Sequence, residues 1–413
     1  MATLKQLTTQ YTAIGLYVFV IAVILPAIYF ITTADQQPVA RNVVLVIGEG
    51  LSFPLLHEAR AAHGEPLFLD QMPGLGVTYS SKSHGWPPDR AAVATALATG
   101  RWGFPGHLNA WGEAENLIVS YPSLLDVAQE RGRRAGFITT DEIITPMLAA
   151  FGTHVISATD WNRILQEWVL RAQPQALLGG GRRYFNPSGH PEGSYRTPEA
   201  LRALGVRDDE MAAQADYFAY ARAAGYTVVR NASDLSPIIT RNVIGLFSPD
   251  ALPFYIEPEL PSISLPLMVR FVVQHLSKEG DGYFLVVHQG AIRRAALLHT
   301  QDLTGDGLVN DEDGRIALRH AVNEVLALDT TVRLLQKIAS GQDTLLVVVG
   351  AVDWCGLSLT AENGATVARW TAPGTTPMDM PLWAEGPGAS ELTGHHPLAH
   401  VYSVIERQLV RSQ

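Results

Sequence analysis

Apolar positions along the chain fall into two kinds of run. Four short stretches, residues 42–47, 135–140, 283–287 and 344–349, are apolar without alternation. A strand with one face in water alternates, whereas a strand covered on both faces need not. These four therefore read as central strands of a parallel sheet. Residues 121–131, 265–276 and 316–338 instead place apolar side chains three and four apart, the spacing of one helix face. Strands alternating with helices predict a doubly wound α/β sandwich. Residues 186–210, rich in Pro, Gly and charge, read as a surface excursion. Thr393-Gly394-His395-His396-Pro397 reads as a helix start, with His396 and His400 on one face.

One further apolar run is of a different length. Residues 11–31 carry no charge. As a helix rising ~1.5 Å per residue, this run spans the ~30 Å hydrocarbon core of a bilayer. Tyr11, Tyr29 and Phe30 lie near its ends, where aromatic belts sit, and Lys5 precedes it while Asp35 follows. The expected organisation is a cytoplasmic segment over residues 1–10, one transmembrane helix over 11–32, a linker over 33–40 and an extracytoplasmic domain over 41–413. The alternative is a cleaved secretory signal, with Thr32-Thr33-Ala34 as its small-residue site. The run is longer than a signal's apolar region, which favours a retained anchor. Either way the bulk of the chain is expected in the periplasm or another extracytoplasmic space.

Composition narrows this further. Of 413 residues, 47% are hydrophobic and only 17% charged, which excludes a disordered chain and supplies a large core. The net charge of −10 argues against nucleic acid as a partner. A single cysteine, Cys355, excludes an internal disulfide framework and a Cys-rich zinc site.

Several motifs, in one order, resemble the alkaline phosphatase family from Arg41 onward. Arg41-Asn42-Val43-Val44-Leu45-Val46-Ile47-Gly48-Glu49-Gly50 is similar to that family's opening strand, which ends G-D-G. Residues 89–100, beginning Asp89-Arg90-Ala91-Ala92, resemble its nucleophile helix. Leu177-Leu178-Gly179-Gly180-Gly181-Arg182-Arg183-Tyr184-Phe185 and Pro381-Leu382-Trp383-Ala384-Glu385-Gly386-Pro387-Gly388 match two further signatures. The resemblance implies an α/β/α sandwich on a large, mostly parallel sheet, preceded here by the transmembrane helix. It also implies a serine nucleophile, two zinc ions and one magnesium ion.

The family's reacting groups do not carry over. The serine falls on Arg90, and a guanidinium is no nucleophile. The metal-bridging Asp becomes Glu49. Two magnesium-holding places fall on Thr145 and Met147, and the phosphate-gripping Arg on Ala158. The stretch supplying three metal ligands offers His288, Arg293 and Leu297. The later Asp-His pair becomes Val352-Asp353, and the last histidine falls near Thr375. The reading is a vestigial pocket in which Glu49, Asp89 and Asp353 face Arg90 and Arg293, because buried charges are paired. No zinc or magnesium is expected there. His288, on an apolar strand, reads as a hydrogen-bonded core residue.

A second cation candidate is independent of the resemblance. Counting Asp302 as one, oxygen ligands recur at one, three, five, nine and twelve, as Asp302, Thr304, Asp306, Asn310 and Asp313. Gly307 sits at six and the Leu308 carbonyl at seven. This is the calcium-loop spacing, so a structural Ca²⁺ is expected in an insertion over 302–313. In the cluster His395, His396 and His400, the two on one helix face, His396 and His400, would need a third ligand and a carboxylate partner to hold zinc, so the cluster reads as a solvated helix entry.

The functional expectation is a catalytically inactive, membrane-anchored protein serving as a structural or interaction subunit of a membrane complex, such as an energy-transducing one. Loops at 53–56 and 102–111 are candidate docking surfaces. The alternatives are an anion- or phosphate-binding module built on Arg90 and Arg293, and a phosphoesterase with a rewired metal site.

Overall fold

The computed structural model describes residues 39–80, 89–111, 119–186, 216–235, 242–256, 263–339, 343–362 and 364–410, and Ile21. The expected membrane helix and most of the 186–210 excursion lie outside these residues. Among the described residues no helix is long and apolar enough to cross a membrane.

Ten strands build the main sheet. They are β1 (Asn42–Gly48), β2 (Gly74–Tyr79), β3 (Arg134–Glu142), β4 (Ala176–Gly180), β5 (Thr227–Val229), β6 (Val243–Leu246), β7 (Tyr283–Gln289), β8 (Thr344–Gly350), β9 (Met380–Glu385) and β10 (Gly394–Pro397). Their order is β10-β2-β9-β8-β1-β7-β3-β4-β6-β5. Every pairing is parallel except those of β9, which runs antiparallel to β2 and β8.

The unbroken apolar runs are explained by the two cores. In β1, Val43, Leu45 and Ile47 enter one core, and Val44 and Val46 the other. The first core is closed by α2 (Arg90–Thr99), α3 (Leu124–Glu130) and α7 (Ala399–Val410). The second is closed by α1 (Phe53–His63), α4 (Leu265–Leu276) and the long α6 (Asp311–Ala339), with α5 (Ala291–Leu297) against it. Both sheet faces are thus buried, and alternation would have placed polar groups in one of them.

The structure corrects the helix start expected at 393–397. Gly394–Pro397 is instead the edge strand β10, with His395 opposite Val77 in parallel pairing, and α7 begins at Ala399. Extended backbone wins because the polar residues lie along a free sheet edge, where solvent accepts them. His396 and His400 still meet, their rings stacked 4.4 Å apart.

Candidate functional site

In open α/β sheets, functional groups gather beyond the carboxyl ends of the strands. Here the register decides which ones. Ile47 of β1 pairs with His288 of β7, and His288 pairs with Thr139 of β3. Glu49 and Asp141, each two residues beyond those positions, therefore emerge beside His288. All three are buried, with ligand-type atoms within 4.8 Å of one another.

A relay of hydrogen bonds orients the imidazole. The Asp141 amide donates to Thr139 Oγ1 at 2.9 Å, and the same hydroxyl lies 2.8 Å from His288 Nδ1. An ionised carboxylate only accepts, so Nε2 is the donor to Glu49 Oε2, 3.0 Å away.

Three guanidinium groups complete the site. Arg90, first residue of α2, binds Glu49 in a two-pronged contact, Nε to Oε1 at 2.5 Å and Nη2 to Oε2 at 2.8 Å. Its Nη2 also reaches Asp141 Oδ2 at 3.1 Å and Thr145 Oγ1 at 2.5 Å. Arg293 donates to the same Asp141 oxygen at 3.0 Å and lies 3.6 Å from Glu49 Oε1, its head 5.5 Å over the Trp354 ring. Arg294 donates to Asp141 Oδ1 at 2.8 Å and to the Leu252 carbonyl at 2.7 Å. The close packing needs Gly290, where a Cβ would stand 2.4 Å from Asp141 Oδ2.

The electrostatics follow. Burial pushes the Glu49 carboxyl up, but Arg90, Arg293 and the His288 hydrogen bond outweigh it and lower it to about 2. Burial opposes ionisation of Asp141 as well, and Arg293, Arg294 and Arg90 hold it well below the usual carboxylate range. Burial alone would weaken the proton affinity of Arg293, yet Asp141 and Glu49 raise it. Two carboxylates face three guanidiniums, leaving the centre net positive.

Of the five residues expected in the pocket, Glu49, Arg90 and Arg293 come together. Asp89 and Asp353 do not join them, which corrects the expected cluster. Asp89 caps α2, its Oδ1 accepting from the Ala91 and Ala92 amides at 3.0 Å and from Gly106 N at 2.9 Å. Asp353 accepts from the Thr376 hydroxyl, and its Oδ1 is buried without a hydrogen bond. Burial raises its carboxyl, with Thr376 and Ser52 opposing. Among the described residues neither aspartate forms an ion pair with an arginine. Asp141 and Arg294 were missed. Asp141 carries the same signal as Glu49, an acidic residue just past a buried apolar run, and Arg294 adjoins a residue already singled out.

As they stand these side chains do not fit a divalent ion. Each Glu49 and Asp141 oxygen already accepts from a guanidinium, and a dication would sit against three fixed positive groups.

The loop at 302–313 uses its acidic groups on its own backbone. Asp302 accepts from the Gly305 and Gly307 amides at 2.7 and 2.8 Å, and Asp306 from Leu308 N at 2.8 Å. Asn310 Oδ1 accepts from Glu312 N, and Asp313 returns to Asn310 N, both at 2.8 Å, which caps α6 in the manner of a capping box. Asp313 also accepts from the Leu303 and Thr304 amides. Among the described residues, the carboxylates of this loop do not converge as a ligand group.

Comparison with known proteins identifies the family. The alkaline phosphatase family model matches residues 40–358. Alkaline phosphatase 3 of Bacillus subtilis is 26% identical over 301 residues, covering 70% of this chain and 58% of the relative. Streptomycin-6-phosphate phosphatase of Streptomyces griseus is 29% identical over 255 residues, covering 55% and 52%. The chain thus spans little more than half the length of these relatives. The alkaline phosphatase of the Antarctic bacterium TAB5 shares the fold with a TM-score of 0.73 at 18% identity, over 92% of this chain and 100% of the other. That of Thermus thermophilus does so at 0.68 and 20%, over 92% and 94%. A variant of the TAB5 protein is known with magnesium bound in its M3 site. On the extent of the family match, this chain belongs to the alkaline phosphatase family.

Proposed function

We propose that this chain is a non-catalytic member of its family, held to a membrane by residues 11–32 with its main domain outside the cytoplasm, where it serves as a structural or interaction subunit of a membrane assembly. One observation carries the reading. By its resemblance to the family's motif, Arg90 falls at the place of the nucleophilic serine, and its guanidinium is bound to Glu49 and Asp141. A phosphoryl transfer needs a nucleophile and cations that clamp the attacking and leaving oxygens. Here the cations are covalently part of the chain. The test is hydrolysis of a phosphomonoester by the full-length protein with added zinc and magnesium, beside metal analysis. No turnover and no bound zinc are expected. Two equivalents of zinc with measurable turnover would overturn the proposal.

The excess positive charge of the pocket favours a second reading, an anion-binding module without turnover. Arg90, Arg293 and Arg294 exceed Glu49 and Asp141 by one charge, and guanidinium suits oxyanions. Phosphate-dependent thermal stabilisation that Arg293→Gln abolishes would support it over the first.

The 302–313 loop is proposed to hold a structural calcium ion. The amide bonds to Asp302, Asp306 and Asp313 leave lone pairs on their oxygens, so the backbone arrangement and an ion are compatible. Calcium at a hundredfold excess over its dissociation constant is expected to stabilise the protein by about 2.7 kcal/mol. Magnesium should not substitute, and Asp306→Ala should remove most of the effect. A calorimetric titration showing no calcium binding would reduce this loop to a helix entry.

A further inference from the structure

Three histidines near the C-terminus take no part in the arginine-filled pocket. His395 and His396 lie on the edge strand β10, and His400 is the second residue of α7. Side chains alternate along a strand, so His395 and His396 point to opposite faces of the sheet. His395 packs on Tyr79, ring centres 4.8 Å apart, and its Nε2 lies 3.0 Å from Asp379 Oδ2. His396 goes the other way and meets His400. Their ring centres are 4.4 Å apart and their planes only 18° from parallel.

Both rings of this pair are tied through the same nitrogen to one short segment of backbone. His396 Nε2 is 2.7 Å from the Thr393 carbonyl oxygen, and His400 Nε2 is 3.0 Å from that of Glu391. A carbonyl only accepts, so Nε2 carries the hydrogen on each ring. In a neutral imidazole the lone pair is then on Nδ1. Among the described residues neither Nδ1 has a hydrogen-bond partner, and both rings are partly exposed.

This is how metal-binding histidines are supported. One ring nitrogen donates to a carbonyl or carboxylate, which fixes the tautomer and makes the other nitrogen a better ligand. Two nitrogens on one ion stand about 3 Å apart at metal–nitrogen distances of ~2.0–2.1 Å. Rings already 4.4 Å apart reach that spacing by leaning together. The nearest carboxylate on the same backbone segment, Glu391, is bound to Arg407, so water completes the coordination. Imidazole excludes the hard ions magnesium and calcium, which take oxygen ligands. Two nitrogens and water form no closed cage that selects by size, so the intrinsic order of affinities decides, and that order peaks at copper(II).

We propose that His396 and His400 bind a divalent transition-metal ion, copper(II) in preference to zinc(II), which ties the edge strand β10 to the start of α7. The site is separate from the arginine-filled pocket and from the 302–313 loop, and it stands or falls without them.

The test is calorimetric titration of the full-length protein, free of any added histidine tag, with copper(II), and in parallel with zinc(II) and magnesium. Saturable binding of about one copper ion per chain is expected, about tenfold tighter than zinc, with no magnesium binding. His396→Ala and His400→Ala should each weaken copper about tenfold or more, whereas His395→Ala should leave it unchanged. The electron paramagnetic resonance spectrum of the copper complex should show two imidazole nitrogens in the native chain and fewer in either of the first two variants. Absence of saturable binding, copper affinity indifferent to both substitutions, or an equal loss with His395→Ala would overturn the proposal. The last of these would mean adventitious copper on an exposed group of histidines. Should a substitution disturb the fold, the native spectrum decides, and a count of one imidazole nitrogen or none refutes the site.

Discussion

Arg90→Met is expected to lower stability at pH 7 by about 3–5 kcal/mol, the cost of stranding a buried charge. Glu49 is fully buried and takes both of its Arg90 contacts within 2.8 Å. Without Arg90, only Arg293 at 3.6 Å and the His288 donor remain to it. The magnitude separates this pair from ion pairs on the surface. Arg369 and Glu362 also touch, but both are more than two-fifths exposed, and Arg369→Met is expected to cost about 0–1 kcal/mol. Denaturant unfolding of the two variants makes the comparison. A double variant, Arg90→Met with Glu49→Gln, removes the stranded charge with its partner and is expected to recover more than half of the loss. Recovery is the decisive observation. If the two substitutions add without coupling, the pair is not what stabilises the pocket, and the loss belongs to packing around α2.

The fold was legible because its central strands are covered on both sides. Residues 42–47, 135–140, 283–287 and 344–349 correspond to β1, β3, β7 and β8, adjacent in the order β8-β1-β7-β3. A strand at that depth has no face in water, so its apolar residues run on without alternating. The edge was not legible. β10 reads Gly-His-His-Pro, all at least partly exposed, and its strand character comes from pairing with β2, more than 300 residues earlier, which no local pattern encodes.

The site was legible where chemistry changed type and opaque where it did not. A guanidinium in place of a hydroxyl at Arg90 announces a charge that needs a partner. The acidic residue nearest the nucleophile place, Asp89, proved to cap a helix, since two amides at the helix start and the Gly106 amide compete with a guanidinium that already had two carboxylates. Asp353 was placed by matching the family's motif, but its strand turns it toward Thr376 instead. Asp141, which three arginines share, had no unusual neighbour in the sequence. Only the parallel register of β3 against β7 sets it beside His288.

That sharing makes Asp141→Asn the second large expected effect. The substitution keeps shape and removes one charge, leaving Arg90, Arg293 and Arg294 with Glu49 as the remaining carboxylate of the group. The expected loss at pH 7 is about 3–5 kcal/mol, because uncompensated guanidiniums are then held in a mostly buried site. The pH dependence identifies the cause. The Asp141 carboxyl is depressed in the folded protein from an ordinary value of 3.8. Such a group stabilises fully above its unfolded value, and the contribution falls as pH drops toward its folded value. The stability gap between the native protein and Asp141→Asn should therefore be constant from pH 7 to about 5 and narrow below about 4, by roughly 1.4 kcal/mol per pH unit. Glu49, lowered from 4.5 to about 2, adds acid sensitivity of the same sign to both proteins and so leaves the gap unaffected to first order. A gap that does not change between pH 6 and pH 3 would mean that Asp141 acts through shape and hydrogen bonding, and that the arginines tolerate one another without it. A narrowing gap would instead make the two carboxylates the counter-charge that keeps three cations together.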